Sequence, residues 1–387
     1  MALPPNFTLL QVVPELETGG AELSALEISR AVVRAGGRSL VAARGGRMAA
    51  RLKAEGGELV ALPLASKNPL VMVANAVALA RLIRREQVSL VHARSRAPAF
   101  SALWAARATR TPFVATYHGI YKARSSLKRW YNAVMTRGEL VIANSQFTRA
   151  HVVAEHGLDP ARVVAIPRGV DLDRFDPAVV DPARVAQLGG AWGIAPDDAR
   201  TKVLLAGRLT RIKGHLTLVA AMARLRDEGR SDLLMLFAGD DQGRSGYRQE
   251  IASAIEAAGL ADAVRLVGHC EDMPAAFLLA DVAVLPTEVP ESFGRAAVEP
   301  QAMGRPVIAS AHGGAVETVV EGVTGWLAAP GDVEAWARAL ALAADVGPKK
   351  RAQMGRDAMT RARALYRTDA MCQATLETYE RLLETHA

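Results

Sequence analysis

Two carboxylates and two cations in the second half of the chain are spaced for work on a phosphorylated sugar. Glu291 and Glu299 stand eight residues apart within PTEVPESFGRAAVEPQAMGRPVIASAHGGAVETVVEGVTGW, the stretch from Pro286 to Trp326. Ser292 between them is suited to cap the Ala-rich segment that follows. The N–H groups of Phe293, Gly294 and Arg295 would then face outward at a helix start. Upstream, Arg208 and Lys213 lie on the turn Gly207–Gly214, where an Arg can fork onto two phosphate oxygens and a Lys can add a point charge. A diphosphate needs donors and cations, whereas sugar and ribose hydroxyls need acceptors, so this set suits a sugar carried on a diphosphate. Gly313-Gly314 would let backbone come close at the next turn, before Ala315-Val316-Glu317 opens another helix.

Further candidates sit where strands end. Phe113–Tyr117 reads as a strand that delivers His118 to a sheet edge, where imidazole can donate to a hydroxyl or balance charge. Gly19-Gly20 follows the first strand, and Gly268 with His269 ends the strand Val264–Val267. None of the Gly-rich turns is a G-x-G-x-x-G dinucleotide fingerprint or a Walker A loop. His92-Ala93-Arg94-Ser95-Arg96 ends another strand and could hold an acidic acceptor or cap the edge of a sheet. Tyr121–Arg137 places Leu127, Trp130, Tyr131 and Val134 beside Lys122, Arg124, Lys128 and Arg129. That mixture suits either an anionic bilayer surface or an ordinary helix with its apolar stripe turned to the core. Asp171-Leu172-Asp173 has the spacing of a D-x-D metal motif but follows a Gly-Val turn in a Pro- and Asp-rich segment, and reads as a solvated turn.

The positioning elements alternate. Strand patterns at Phe7–Val13, Ser39–Ala43, Glu58–Leu62, Ser89–Ala93, Phe113–Tyr117, Glu139–Ala143 and Arg162–Ile166 are separated by helical stretches. A second series follows at Lys202–Ala206, Leu233–Ala238, Val264–Val267, Val282–Leu285 and Val307–Ser310. This pattern predicts α/β architecture with two doubly wound, Rossmann-like domains, as does a length of 387 residues. The expected boundaries are 1–175, a linker at 176–195, and 196–365.

Net charge is +7, but residues 1–170 hold 23 Lys/Arg against 10 Asp/Glu, while the remainder holds 24 against 30. A basic first half points to an anionic partner: a membrane surface, a phosphorylated acceptor or nucleic acid. Nucleic acid is disfavoured, because aromatics are 5% of the chain and the second half is acidic. Cys270 and Cys372 lie far apart and read as reduced thiols. The opening MALPPNFTLLQVV lacks a signal pattern, and no apolar run is long enough to span a bilayer, so a cytoplasmic protein is expected.

Taken in order, GGAE (Gly19–Glu22), YHG (Tyr117–Gly119), IANSQFT (Ile142–Thr148), IPRGVDLDRF (Ile166–Phe175), AGRLTRIKG (Ala206–Gly214) and the Glu291-to-Glu299 stretch with its GGAVETVVEGVTGW tail resemble the retaining GT-B glycosyltransferases of family 4. The resemblance spans nearly the whole chain. It implies a GT-B fold of two lobes facing across a cleft, with a C-terminal helix at about 366–387 rejoining the first. It also implies transfer of a hexose from a UDP- or GDP-linked sugar with retention, no cofactor and no metal. Glu291 would contact the donor hexose and Glu299 the ribose, while Arg208 and Lys213 would neutralise the leaving diphosphate. His118 would meet the donor sugar, Gly19-Gly20 the donor phosphate and acceptor, and Gly268 with His269 the base through backbone groups. The nearest-looking members build lipopolysaccharide core or lipid-linked glycans, which suggests such an acceptor and a peripheral place on the cytoplasmic face of the inner membrane. A nucleotide-sugar epimerase of the same fold would need further acid and base groups. Pro300 departs from a continuous helix after Glu299, since it cannot bond the Ala296 carbonyl.

Overall fold

The computed structural model describes residues 3–17, 19–121, 123, 125–243 and 245–385. The chain divides into two compact units, one of residues 1–168 with 368–387, the other of residues 169–367.

In chain order the first unit runs β1 (Thr8–Val12), α1 (Gly20–Arg34), β2 (Arg38–Ala43), α2 (Ala49–Ala54), β3 (Glu58–Ala61), α3 (Pro69–Arg85), β4 (Leu90–Ala93), α4 (Arg96–Thr109), β5 (Phe113–Tyr117), α5 (Ser126–Asn132), β6 (Leu140–Ala143), α6 (Gln146–His156) and β7 (Val163–Ala165). These strands form one parallel sheet in the order β3-β2-β1-β4-β5-β6-β7. Successive side chains of a strand point to opposite faces, and here the two faces are covered by different helices. Leu10, Val91, Ala115 and Val141 pack with residues of α3, α4 and α6. Leu9, Leu90, Val114 and Ile142 pack with α1 and the last helix of the chain.

The second unit runs α7 (Pro182–Ala191), β8 (Thr201–Ala206), α8 (His215–Asp227), β9 (Leu233–Ala238), α9 (Ser245–Ala257), β10 (Val264–Gly268), α10 (Met273–Leu279), β11 (Val282–Leu285), α11 (Arg295–Ala302), β12 (Val307–Ser310), α12 (Ala315–Thr318), β13 (Gly325–Ala328), α13 (Val333–Asp345) and α14 (Gly347–Leu365). Its six strands are parallel in the order β10-β9-β8-β11-β12-β13. The closing helix α15 (Thr368–Glu384) belongs to the first unit, where Met371, Cys372, Tyr379 and Leu382 pack with Phe7, Leu9 and Ile28.

Residues 176–195, expected as a linker, are mostly helical. Asp181 caps α7, Pro182 starts it, and Leu188 packs in the cluster that holds Ala276 and Phe277 of α10. Asp171 accepts from the N–H groups of Asp173 and Arg174 at 3.2 Å each, so its carboxylate closes a turn. The helix expected over Tyr121–Arg137 is shorter. Ser125 caps α5 by accepting from Lys128 N, and a single 3-10 turn, Ala133–Thr136, follows. Lys122 and Arg124 lie outside the described residues. The apolar stripe expected there is split, with Val134 buried and Leu127 and Trp130 in solvent. Both cysteines are free thiols. No helix among the described residues is long and apolar enough to cross a membrane.

Candidate functional site

In each sheet the strand order reverses beside the first strand, and ligands of such folds bind outside the carboxyl ends of the strands at that switch point. In the second unit the reversal falls between β8 and β11, so the loops that follow them, 207–214 and 286–294, decide what can bind there. The two loops are locked together. Gly214 adopts a left-handed conformation, and a Cβ on it would lie 1.9 Å from the Pro286 carbonyl oxygen. Glu288 N donates to Ile212 O at 3.0 Å, and Thr217 Oγ1 donates to Glu288 Oε1 at 2.9 Å. This contact brings Lys213 to Glu291, with Nζ 2.5 Å from Oε1 and both side chains only partly exposed. Arg208, on the same loop, is exposed and has Nη1 3.4 Å from Gln242 Oε1.

Ser292 does not cap the next helix. Gly294, left-handed at φ 85°, takes that position and α11 begins at Arg295. The cause lies one strand away. Gly314 N donates to Glu291 O at 2.7 Å, and a Cβ on Gly313 would stand 2.5 Å from the same oxygen. The Gly313-Gly314 turn therefore sets the path of the backbone at Glu291–Phe293, and the helix starts after that path is complete. Phe293 is buried against Tyr366, with ring centroids 5.4 Å apart. Arg295 Nε bonds Glu299 Oε1 at 2.6 Å, a turn apart on α11. Pro300 is taken into the helix, which ends at Ala302. His312 Nε2 approaches Thr287 O at 2.8 Å; the carbonyl can only accept, so this nitrogen carries the proton and ties β11's exit to β12's.

Gly268 and His269 line a cavity of about 90 Å³ with Leu209, Phe237, Gly239, Asp240, Asp241 and Arg248. Gly268 is left-handed and sits where the register of β10 on β9 slips, which lifts the backbone off the ladder.

In the first unit, Gly19 precedes α1 and offers no side-chain cap to its first N–H groups. Arg168 lies across this helix start, for a Cβ on Gly20 would stand 3.1 Å from its Nη1. The same Nη1 is 3.4 Å from His118 Nδ1, a long contact in which the guanidinium donates and the imidazole accepts. Burial, then the nearby Arg168 and Arg94 cations, push His118 well below the usual histidine range, so its ring is neutral at pH 7. Arg94 is buried, with Nε donating to Gln11 Oε1 at 2.7 Å and Nη2 without a hydrogen-bond partner among the described residues. Arg96 bonds Asn132 and stacks over Tyr121. His92 is interior, between Tyr379 Oη at 2.5 Å and Thr116 Oγ1 at 2.7 Å, and holds the sheet rather than facing its edge.

The structure thus joins Lys213 to Glu291 and Arg295 to Glu299, and sets Arg208 on the loop of Lys213. Arg168 beside His118 and Gly20 was not singled out in the sequence; its place in IPRGVDLDRF, directly after a strand, was the available signal. Among the described residues, no group of three or more His, Cys, Asp or Glu is arranged to hold a metal ion.

Two parallel sheets wrapped by helices, each reversing its order at a first strand, define a GT-B glycosyltransferase fold. Residues 18–174 match Glycosyltransferase Family 4 and residues 192–361 match Glycosyl transferases group 1, and the chain belongs to this family. A glycosyltransferase from Rickettsia africae superposes with a TM-score of 0.90 at 30% identity, covering 98% of this chain and 99% of that one. Anabaena HepE, crystallised with UDP and glucose, shares the fold with a TM-score of 0.82 at 24% identity over 96% of this chain and 99% of its own. The D-inositol 3-phosphate glycosyltransferase 2 of Catenulispora acidiphila is 34% identical over 65% of this chain and 58% of its own length. The match therefore spans under two thirds of that relative.

Proposed function

We propose that this chain is a retaining hexosyltransferase that takes a hexose from a UDP- or GDP-linked sugar without a metal ion. The observation that carries this reading is the joined pair of switch-point loops, which holds Lys213 against Glu291 with Arg208 on the same loop as Lys213, and Arg295 paired with Glu299 on the adjoining helix. In this reading Arg208 and Lys213 take the diphosphate, Glu291 a hexose hydroxyl and Glu299 the ribose. The N–H groups of Phe293, Gly294 and Arg295 supply further donors. The cavity at Gly268 and His269 takes the base. As the bond from the anomeric carbon to the phosphate oxygen breaks, negative charge gathers on the diphosphate. Fixed cations and a helix start stabilise it without reorganisation. The bond from the acceptor oxygen to the same carbon then forms on the same face, and the acceptor's proton passes to the departing phosphate. In the first unit, neutral His118, protonated at Nε2, offers a hydrogen-bond donor to a sugar hydroxyl, and Gly19-Gly20 leaves its helix start open to a phosphate or an acceptor. The crystal structures of HepE with UDP and with UDP-glucose support a nucleotide-sugar donor.

For the acceptor, the basic first unit supports a lipid-linked or lipopolysaccharide-core glycan met at the cytoplasmic face of an anionic membrane. The fold shared with WaaG, described as involved in lipopolysaccharide biosynthesis, agrees. A second reading, a phosphorylated polyol, is supported by the named inositol-phosphate relatives and by Arg168 at the start of α1. Incubation with UDP- and GDP-hexoses, scoring nucleoside diphosphate release with each acceptor class and the anomeric configuration of the product, tests all of this. Inverted product would remove retention from the proposal. Failure to bind any sugar nucleotide would remove its whole basis.

A further inference from the structure

We infer that the solvent side of the α3-α4-α5 layer is a docking face for an anionic lipid surface, while the α1-α15 side of the same sheet is not. The inference rests on the proposed lipid-linked acceptor for its purpose, but its observations are independent of that reading. Residues 59–138, which contain all three helices, hold 13 Lys/Arg in sequence, of which Arg94 is interior and Lys122 and Arg124 lie outside the described residues, against one acid, Glu86. That carboxylate is already engaged by Arg38 and Arg85. On the opposite side α15 alone carries Asp369, Glu377, Glu380 and Glu384 against Arg381.

Exposed large apolar side chains divide in the same sense. Leu70, Val73 and Val77 recur on the outer side of α3, with Leu70 81% exposed. Trp104 of α4 and Leu127 and Trp130 of α5 are exposed too, and neither α1 nor α15 contributes any. Spacings of three and four residues put the α3 trio on one stripe, which continues into exposed Arg81 and Arg84 and is preceded by exposed Lys67. Phe100 joins the two other helices, with ring centroids 6.1 Å from Trp104 and 5.6 Å from Trp130. Arg137 stacks over Trp130 at 4.7 Å, and Lys128 lies 5.4 Å from the Tyr131 ring. Tryptophans and aliphatic tips set among cations are the composition of an interfacial binding surface.

Charge decides between occupants. A second copy seated on this face would bring Lys67, Arg81 and Arg84 against their own equivalents, whereas an anionic bilayer meets them with opposite charge; Arg129 is already paired with Glu155. The face also leads to the sheet edge, since α5 begins shortly after His118 on the same connection.

The test is flotation of the full chain with vesicles of phosphatidylcholine alone or with about a third phosphatidylglycerol, at two salt concentrations. Binding should require the anionic lipid and fall with salt. Leu70→Gln, Val73→Gln and Val77→Gln combined, and separately Trp104→Ser with Trp130→Ser, should each weaken it about tenfold or more. Hydrolysis of the donor sugar nucleotide should stay unchanged in both, and thermal melting should stay unchanged in the α3 variant while falling slightly in the variant that strips two rings from Phe100. Equal flotation of both variants, binding indifferent to lipid charge, or no binding to anionic vesicles would overturn the inference. So would a dimer in solution that the same substitutions dissolve. Flotation without transfer to any lipid-linked acceptor would leave the face standing and remove the acceptor reading instead.

Discussion

At the switch point of the second unit, Lys213 and Arg295 are each paired with a carboxylate and partly open to solvent. In the first unit, Arg94 and Arg168 are buried and reach Gln11 and His118. The strand order up to the sixth strand is the same in both sheets, so the scaffold does not account for the contrast. Loop length and the residues in the loops do. Partly open ion pairs can be exchanged for a ligand's phosphate and hydroxyls at low cost, because water and ligand replace what each partner loses. Buried polar groups cannot be exchanged in that way, since an unmatched group in the interior costs its full desolvation. In the second unit the cations themselves can change partners; in the first, Arg94 and Arg168 are held in place around His118 and the start of α1.

The largest expected effect falls on the second unit. Lys213→Ala should slow sugar transfer about 10²–10³-fold, the scale for losing a preorganised charge at the leaving group, with little change in melting temperature. Steady-state release of nucleoside diphosphate checks it, and a rate within threefold of the parent would break the contrast. Glu291→Gln should also slow transfer while strengthening binding of the nucleoside diphosphate itself, because Lys213 no longer has a carboxylate to leave; calorimetry reads this directly. Next comes Gly313→Ala. It forces a Cβ toward Glu291 O in a left-handed conformation and should cost about 1–3 kcal/mol of stability as well as activity, followed by urea denaturation.

Stability should also depend on pH in both units. Burial holds His92 and His118 well below the ordinary range and pushes His215 down to about 4. The unfolded chain binds protons at these sites first, so their contribution is fully present above about 6.5 and is lost as pH falls toward 4. Denaturant midpoints measured at steps between pH 7 and pH 4 should fall. His215→Gln should flatten that fall, and an unchanged slope would count against a buried neutral imidazole. The smallest effect is expected from Tyr379→Phe, which takes one hydrogen bond from His92 and should cost about 1 kcal/mol with kcat unaltered. Lost activity with undisturbed melting would reverse the assignment of roles to the two edges.

Much of the fold could be read without coordinates. Apolar runs of four to six residues alternating with helical stretches placed nearly every strand, because buried parallel strands leave that mark in any sequence. The candidate cations and carboxylates were legible too, since charged residues next to strand ends and Gly-rich turns stand out. The start of α11 was not. Ser292 has the right side chain for a cap, yet the Gly313-Gly314 backbone, on a separate loop, claims the segment first. The helix at Pro182–Ala191 was hidden for a related reason: its Asp, Pro and Gly content signals a connection, and only the partner surface of α10 makes it worth ordering.

Local chemistry, which neighbours along the chain suffice to specify, was therefore decided by the sequence alone: which residues form strands, which turns need glycine, and which side chains could meet phosphate or hydroxyl. The pairing of Lys213 with Glu291, the burial that keeps His118 neutral, and the sorting of cations and acids onto opposite sides of one sheet were decided by the tertiary structure. Each depends on groups far apart in the chain whose distance, exposure and side of the sheet exist only after the strands have paired.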